Sequence, residues 1–194
     1  MSGTYVTARN SDTDTSGILW EIAPQDNSSS LLKISGDLRP GWLGRLSSYM
    51  AIERINIIRA NAWKCGLLCW EASFEIDKGQ RPIDTSSGFN PLQALKAANN
   101  HSGIQPLAIS KVKIERSKRH GGSIYTEIAG KDCVGFLYSI LAIFSLSSLF
   151  PTELEISTKF HTVLDQFWLK GIGFSAPSDE DMTSLQERLD RLRQ

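Results

Sequence analysis

Two stretches of the chain carry the same order of apolar and polar positions. In each, short strand-like segments lead to a glycine-containing turn, and the turn opens a run with apolar residues at helical spacing. In the first stretch Leu43, Leu46 and Met50 stand at positions i, i+3 and i+7, and in the second Leu137 and Ile140 begin the same pattern. This spacing predicts a helix after each turn.

The two turns lie at a constant offset. Gly36 and Gly130 are 94 positions apart (130 − 36), and Gly41 and Gly135 have the same separation. Other positions matched at this offset share apolar or acidic character: Ile34 with Ile128, Trp42 with Phe136, Leu43 with Leu137, Glu71 with Asp165, and Phe74 with Trp168. The apolar pattern continues over about 60 positions, and a duplicated unit is the most economical explanation.

Each unit is predicted to contain two strands, the glycine turn, a helix, two more strands and a closing helix. The predicted strands cover residues 18–23, 31–35, 55–63 and 68–76, and then residues 112–116, 124–129, 154–159 and 162–170. One closing helix is predicted at residues 91–99, and the other after Ser178, a plausible N-cap. Hairpin-length links favour antiparallel sheets with helices on one face, an α+β fold. The predicted domains are residues 16–109 and 110–194, after a flexible N-terminus at residues 1–15.

Composition argues against two classes of partner. The chain has 21 Lys and Arg against 21 Asp and Glu, a net charge of zero, whereas binders of nucleic acids or membrane surfaces usually carry a basic excess. The N-terminus has no basic-then-apolar pattern of a signal peptide. The longest apolar run, residues 134–150, is broken by serines and is shorter than the ~20 residues of a membrane span. We therefore expect a soluble, cytoplasmic protein without membrane contact.

Residues that could carry chemistry are sparse. The three cysteines, Cys65, Cys69 and Cys133, are odd in number and indicate neither a disulfide framework nor a zinc site; Cys65 and Cys69 are predicted to be two reduced, partly buried thiols. The three histidines have no metal-binding spacing, and no nucleophile elbow, P-loop or HExxH motif occurs. The sequence thus predicts no enzyme activity, no cofactor and no metal.

Two other features have a functional and a structural interpretation. Residues 111–120 (KVKIERSKRH) are the one basic cluster, either a patch for phosphate or a partner, or a strand with a solvated face. Trp63 and Trp70 are the nearest candidates for base-stacking aromatics, or they belong to a core or an interface. We favour the structural interpretation of both features.

The glycine turn and the strand after the helix carry a family resemblance. Arg39, Pro40, Gly41 and Leu43, followed by I-N-I at residues 55–57, resemble the ACT domain, a small regulatory ligand-binding module. The second unit matches at Asp132, Gly135, residues 136–138, residues 156–158, Asp165 and residues 167–168. The ending, residues 178–180 before a terminal helix, is similar to the C-terminal ACT pair of bacterial PII uridylyltransferases, and the tandem layout is similar to the glycine cleavage repressor family. The nucleotidyltransferase and phosphohydrolase regions are missing, which excludes an intact uridylyltransferase.

The resemblance implies two ferredoxin-like (βαββαβ-type) ACT domains that bind a small molecule, most plausibly an amino acid, and regulate through a homodimer or a regulatory protein partner. The candidate ligand-binding residues are Asp37, Leu38, Gly41, Trp42, Asn56, Asp132, Gly135 and Phe136. A glycine at the turn lets backbone approach a ligand, and the N–H groups at the following helix N-terminus favour a carboxylate.

The chain departs from the family pattern in each unit. Leu38 stands where the family usually has Asp or Asn, and Phe150 stands in the second unit where the first has Asn56. Asp132 and Asn56, one from each unit, are therefore predicted to face a single composite pocket. The opposing interpretation is that both sites have decayed and the pair is a dimerisation or docking platform; a third is a transcriptional accessory regulator.

Overall fold

The structure, a computed structural model, describes residues 17–79, 83, 89–96 and 106–193. The chain divides into two compact units, unit 1 (residues 1–100) and unit 2 (residues 101–194), which we describe separately. The predicted boundary between residues 109 and 110 falls later than this division, after the first residue of the first strand of unit 2. The predicted flexible segment, residues 1–15, lies outside the described residues.

The described residues of unit 1 form a four-stranded antiparallel sheet and two α-helices. Its elements are β1 (Ile18–Pro24), β2 (Ser29–Asp37), α1 (Trp42–Ile52), β3 (Asn56–Lys64), β4 (Cys69–Asp77) and α2 (Pro91–Lys96). The strands lie in the order β1-β2-β4-β3. The predicted closing helix begins at Pro91 as expected, and the part of the prediction beyond residue 96 lies outside the described residues.

Unit 2 has the same strands and α-helices in the same order, and in addition short 3-10 helices at Arg119–Gly121 and Ile172–Phe174. The strands and α-helices are β5 (Ile109–Ser117), β6 (Ser123–Lys131), α3 (Phe136–Leu146), β7 (Phe150–Lys159), β8 (Thr162–Lys170) and α4 (Asp179–Asp190). The strands lie antiparallel in the order β5-β6-β8-β7. The predicted α+β fold with antiparallel sheets is confirmed. Along each unit the order is ββαββα, whereas the expected βαββαβ order ends on a strand.

The repeat is closest around the glycine turns. Both ends of α3 lie 94 positions after the ends of α1, and the same offset relates β2 to β6. A β-bulge interrupts β3 between Ile57 and Arg59, and another interrupts β7 at the matching place, between Pro151 and Glu153. The two units therefore share their irregularities as well as their order of elements.

The constant offset fails at the last strand of each unit. Trp70 lies opposite Gly36, and Val163 lies opposite Gly130, so the offset is 93 (163 − 70) in β4 and β8. Ala72, and not Glu71, is the counterpart of Asp165. The cause is the connection between the last two strands: five residues lie between the paired Lys64 and Trp70 in unit 1, and four lie between the equivalent pair, Thr158 and Val163, in unit 2. Because a shift by one residue moves a side chain to the other sheet face, the predicted match was wrong about burial: Glu71 is exposed and Asp165 is buried.

Each core lies between a sheet and its helices. In unit 1 the indole of Trp42, on α1, meets Trp70 edge-on with ring centroids 5.5 Å apart and Phe74 at 6.4 Å. In unit 2 the ring of Phe144, on α3, meets Phe167 at 4.9 Å. Burial of such large apolar side chains is the main favourable contribution to folding.

The terminal helix α4 begins as the sequence predicts. The Ser178 hydroxyl accepts a hydrogen bond from the Asp181 N–H at 3.1 Å, and the Asp181 carboxylate accepts one from the Ser178 N–H at 2.7 Å, which completes a capping box. Leu185 and Leu189 are fully buried on its inner face. Among the described residues no helix combines the length and apolar character needed to span a membrane.

The prediction that Cys65 and Cys69 are reduced thiols is wrong. Cys65 and Cys69 form a disulfide across the β3–β4 turn, with their Cα atoms 5.2 Å apart, while Cys133 is free. The hairpin itself brings the pair together, because the Cys65 N–H donates to the Cys69 carbonyl at 2.9 Å. The same turn reaches the glycine loop through Leu38, whose N–H donates to the Leu68 carbonyl at 3.1 Å.

Gly36 is a glycine that the fold of unit 1 requires. Its φ is +121°, and a Cβ at this position would overlap the Gly17 carbonyl oxygen. We expect Gly36→Ala to lower the free energy of unfolding by about 3 kcal/mol, because β1 must move away from β2.

Gly44→Ala is the matched control for this prediction. Gly44 lies within α1, and a Cβ there meets nothing within 4 Å. Since alanine is the better helix former, this change should raise the free energy of unfolding by about 0.5–1 kcal/mol. Urea unfolding of both variants measures the difference, and equal effects would contradict the assigned contact.

Candidate functional site

The candidate site residues of both units gather around one kind of turn. In unit 1 the Trp42 N–H donates to the Arg39 carbonyl at 3.0 Å, and Gly41 has φ 79° and ψ 3°. In unit 2 the Phe136 N–H donates to the Cys133 carbonyl at 3.1 Å, and Gly135 has φ 88° and ψ 6°. These are type II turns, which need a left-handed residue at the third position. We call residues 36–42 and 130–136 the glycine loops of units 1 and 2.

Both glycine loops lead directly into a helix without a side-chain cap. Neither Gly41 nor Gly135 offers a side chain to the first N–H groups, and neither helix has an acidic residue in its first turn. The positive end of each helix dipole is therefore not offset by a side chain of the same helix. A helix end of this kind favours a negatively charged group.

The glycine loop of unit 1 is largely part of the core. Leu38 is 1% exposed and Trp42 is 2% exposed, so these predicted ligand contacts are packing residues. Asp37 is exposed at the end of β2. The Arg45 guanidinium lies over the loop and donates through Nη1 to the Pro40 carbonyl at 3.2 Å. Gly41 is the predicted site residue that remains exposed at the helix start.

Asn56 lies at the other end of the sheet of unit 1 from the glycine loop. It opens β3 opposite Asp77, whereas Gly36 lies opposite Trp70. Seven residues of extended strand separate Trp70 from Asp77, a distance of about 23 Å. Asn56 and Gly41 therefore cannot hold one small ligand within unit 1. The composite pocket of Asn56 with Asp132 joins residues of different units and stays a prediction.

The glycine loop of unit 2 has a different chemistry. Asp132 is half-buried, and its N–H donates to the His161 carbonyl at 2.8 Å. Phe136, a predicted ligand contact, is 3% exposed and belongs to the core. Its ring packs over Gly130, where a Cβ would lie 3.1 Å from the phenyl ring. Burial, and to a lesser degree Asp132, raises the pKa of the Cys133 thiol, which keeps it protonated.

Sequence reasoning missed one residue of this site. Asp165 is 1% exposed on β8, and its carboxyl lies in a row across the sheet between the buried side chains of Ile128 and Ile156. Its Oδ1 atom accepts no hydrogen bond within the described part of the chain. Burial, and then the nearby Asp132 carboxylate, raises the pKa of Asp165 well above its usual range. The sequence signal that could have revealed its burial is the alternation of Val163, Asp165 and Phe167, which places this acid on the otherwise apolar face of β8.

The equivalent row of unit 1 is wholly apolar. Ala72 lies between Ile34 and Ala62 in the same register. This sheet therefore folds without an acid at that place, while a buried, unpaired carboxyl costs about 1–3 kcal/mol. Groups whose pKa is strongly shifted in this way occur most often at functional sites.

Most basic side chains of the cluster at residues 111–120 lie beside an acidic group. Arg119 and His120 both contact the Glu153 carboxylate at 2.8 Å. Arg116 meets Asp179 at 2.6 Å, and Lys113 meets Glu115 at 2.9 Å. Exposed and half-buried residues alternate along β5, as expected for the solvated strand face favoured from the sequence.

The two candidate stacking aromatics do not form a platform. Trp70 is buried against Trp42 in the core, and Trp63 is 43% exposed. In the described ranges no three or more His, Cys, Asp or Glu side chains are grouped so that they could hold a metal ion. Comparison of the chain with protein-family models, curated proteins and solved structures finds no match.

Asp165 should make the stability of the protein depend on pH. Its pKa is raised in the folded state, so between an unfolded value of about 4 and the folded value the native state binds more protons, and stability falls as pH rises. We expect Asp165→Asn, which is neutral at every pH, to remove this fall and to be more stable than the wild type at neutral pH.

Urea unfolding between acidic and neutral pH measures this effect. Asp132→Asn should weaken the fall without abolishing it, because it removes only the second cause of the shift. Parallel pH profiles for the wild type and Asp165→Asn would show that Asp165 is ionised at no cost and would contradict the prediction.

Proposed function

We propose that this protein is a non-catalytic regulatory module of two ACT-like units, and that the glycine loop of unit 2 binds an amino acid. The protein is proposed to act in the cytoplasm as a homodimer or through a regulatory protein partner. The observation that carries the proposal is the pairing of Asp132 with an uncapped helix N-terminus three residues later, at Gly135.

The order of strands supports the assignment to ACT-like units. In a βαββαβ unit the last strand lies at a sheet edge beside the first. Here β1 occupies that edge beside β2, and β5 occupies it beside β6. Each strand therefore has the neighbours expected in the ferredoxin-like arrangement, but the edge strand is the first strand of the unit and not the last. We interpret each unit as a permuted form of that fold.

The charges around Gly135 suit an α-amino acid. The Asp132 carboxylate is a partner for the ammonium group, and the first N–H groups of α3 are partners for the carboxylate. The positive φ of Gly135 turns the chain so that these two partners belong to one short loop. An α-amino acid, whose ammonium and carboxylate groups are attached to the same carbon, matches both partners. A simple amine or a simple carboxylic acid matches only one of them.

The alternative is a protein-interaction or dimerisation module with vestigial sites. Unit 1 favours it, because Leu38 and Trp42 fill the core beneath their glycine loop and leave Asp37 as the loop's one carboxylate. The third candidate, a transcriptional accessory regulator, predicts a mobility shift with duplex DNA at low salt.

Thermal-shift measurements with the twenty standard amino acids test the proposal, because a ligand that binds only the folded state raises the melting temperature. For an amino acid that does so, calorimetric titration should show a roughly ten- to hundredfold weaker affinity for Asp132→Asn than for the wild type, since one charged hydrogen bond is lost.

Asp37→Asn is the matched control, because it removes the acid of the other glycine loop, and its affinity should equal that of the wild type. If no amino acid raises the melting temperature, or if Asp132→Asn binds as the wild type does, the interaction-module alternative replaces the proposal.

A further inference from the structure

We infer that Asp165 is the second carboxyl of the ammonium site in unit 2, and that an amino acid binds there in exchange for one proton. This inference rests on the proposed function and deepens it. Asp132 lies beside the start of β8, where its N–H donates to the His161 carbonyl at 2.8 Å, and Asp165 follows His161 by four residues on that strand. Asp165 presents an unpartnered Oδ1 on the sheet face that α3 covers.

The position of Asp165 relative to the glycine loop supports this assignment. Val163, two residues before Asp165 on β8, lies opposite Gly130, and the Phe136 ring packs over Gly130. Asp165 is therefore one strand repeat, about 7 Å, further into the sheet than the base of the loop. An ammonium held by Asp132 at the loop has Asp165 as the next oxygen acceptor on its inner side.

Binding replaces the proton on Asp165 by the ammonium group of the ligand. Without ligand and below the raised pKa of Asp165, this carboxyl is protonated beside the Asp132 carboxylate, and the pair carries one negative charge. When an ammonium group binds between the two carboxyls, Asp165 releases its proton to solvent, and the ligand keeps its own protons. The pair and the ammonium then again carry one net negative charge, so the buried charge is unchanged by binding. In neither state are both carboxyls ionised without a cation between them, a state that their mutual repulsion disfavours.

No other charged group takes part in this exchange within the described residues. The neighbours of Asp165 across the sheet are Ile128 and Ile156, and α3 carries no charged side chain. Besides Asp132, the titratable groups of the loop and α3 are the exposed Lys131, Cys133, whose pKa is raised by burial, and the Tyr138 phenol. On α4 the residues turned to the interior are Leu185 and Leu189, and its charged side chains lie on its outer surface or at its N-terminal cap. Among these groups Asp132 alone acts on the charge of Asp165.

Calorimetric titration in two buffers of different ionisation enthalpy measures the proton. The probes are those of the twenty amino acids that raise the melting temperature of the wild type. In the pH range where free Asp165 is protonated, we expect the wild type to release about one proton per ligand and its affinity to rise up to about tenfold for each pH unit. The N-acetyl form of the same amino acid, which lacks the ammonium, should not bind.

Three variants complete the test. Asp165→Asn should bind at least about tenfold more weakly than the wild type near neutral pH and release no proton. Asp165→Ala introduces the residue type that unit 1 has at the equivalent position, Ala72. It should also bind more weakly and release no proton, and it replaces Asp165→Asn in the test if the asparagine side chain disturbs folding. Thr126→Val is the control, because it removes another buried, unpartnered oxygen on the same sheet face without removing a carboxyl, and it should leave proton release unchanged.

The outcomes separate the two proposals. If an amino acid binds the wild type without releasing a proton, or if Asp165→Asn and Asp165→Ala keep full affinity, Asp165 is a structural residue and the inference is wrong, while the proposed function stands. If no amino acid binds the wild type, the proposed function fails and this inference fails with it. A proton released by the wild type and Thr126→Val but by neither Asp165 variant supports the inference.

Discussion

The left-handed backbone of Gly41 and Gly135 is the constraint on which the rest of each unit depends. A type II turn with glycine at its third position reverses the chain between a central strand and the first helix. The turn leaves the helix without a side-chain cap, and in unit 2 it lays the helix start over Gly130, where the Phe136 ring touches the strand. Any side chain at Gly130 would also meet the Ala108 carbonyl oxygen at 2.6 Å. Position, polarity and close packing of the helix start thus follow from one backbone conformation.

The two units share this framework but differ in the residues that lie beneath the glycine loop. Beneath the glycine loop of unit 1, two indole rings occupy the space, and Ala72 completes the row. In unit 2 the residues in register with Trp70 and Ala72 are Val163 and Asp165. Two substitutions on one strand therefore replace a filled aromatic core by a smaller side chain and an acid. Because the neighbours of this acid in the sheet are apolar, burial disfavours its charged form and raises its pKa.

Much of this fold can be predicted from the sequence, and the failures have physical causes. The helical spacing after each glycine turn located α1 and α3, and the Ser178 cap located α4, because these signals are local. The register of β4 and β8 was wrong because the preceding turns differ in length, which no apolar pattern records. That error paired Asp165 with the exposed Glu71 and so hid its burial. The disulfide was missed because counting cysteines ignores a hairpin that holds two of them side by side.

The disulfide closes a ring of only a few residues, and this limits what it contributes. Chain entropy gives a loop of this size about 2 kcal/mol of stabilisation, less than a disulfide that joins distant parts of a domain. The ladder bond from the Cys65 N–H to the Cys69 carbonyl remains when the sulfurs separate, and so does the bond that joins Leu38 to this turn. We therefore expect unit 1 to keep its architecture in a reducing compartment, where the turn would display two thiols beside the exposed side chain of Leu67.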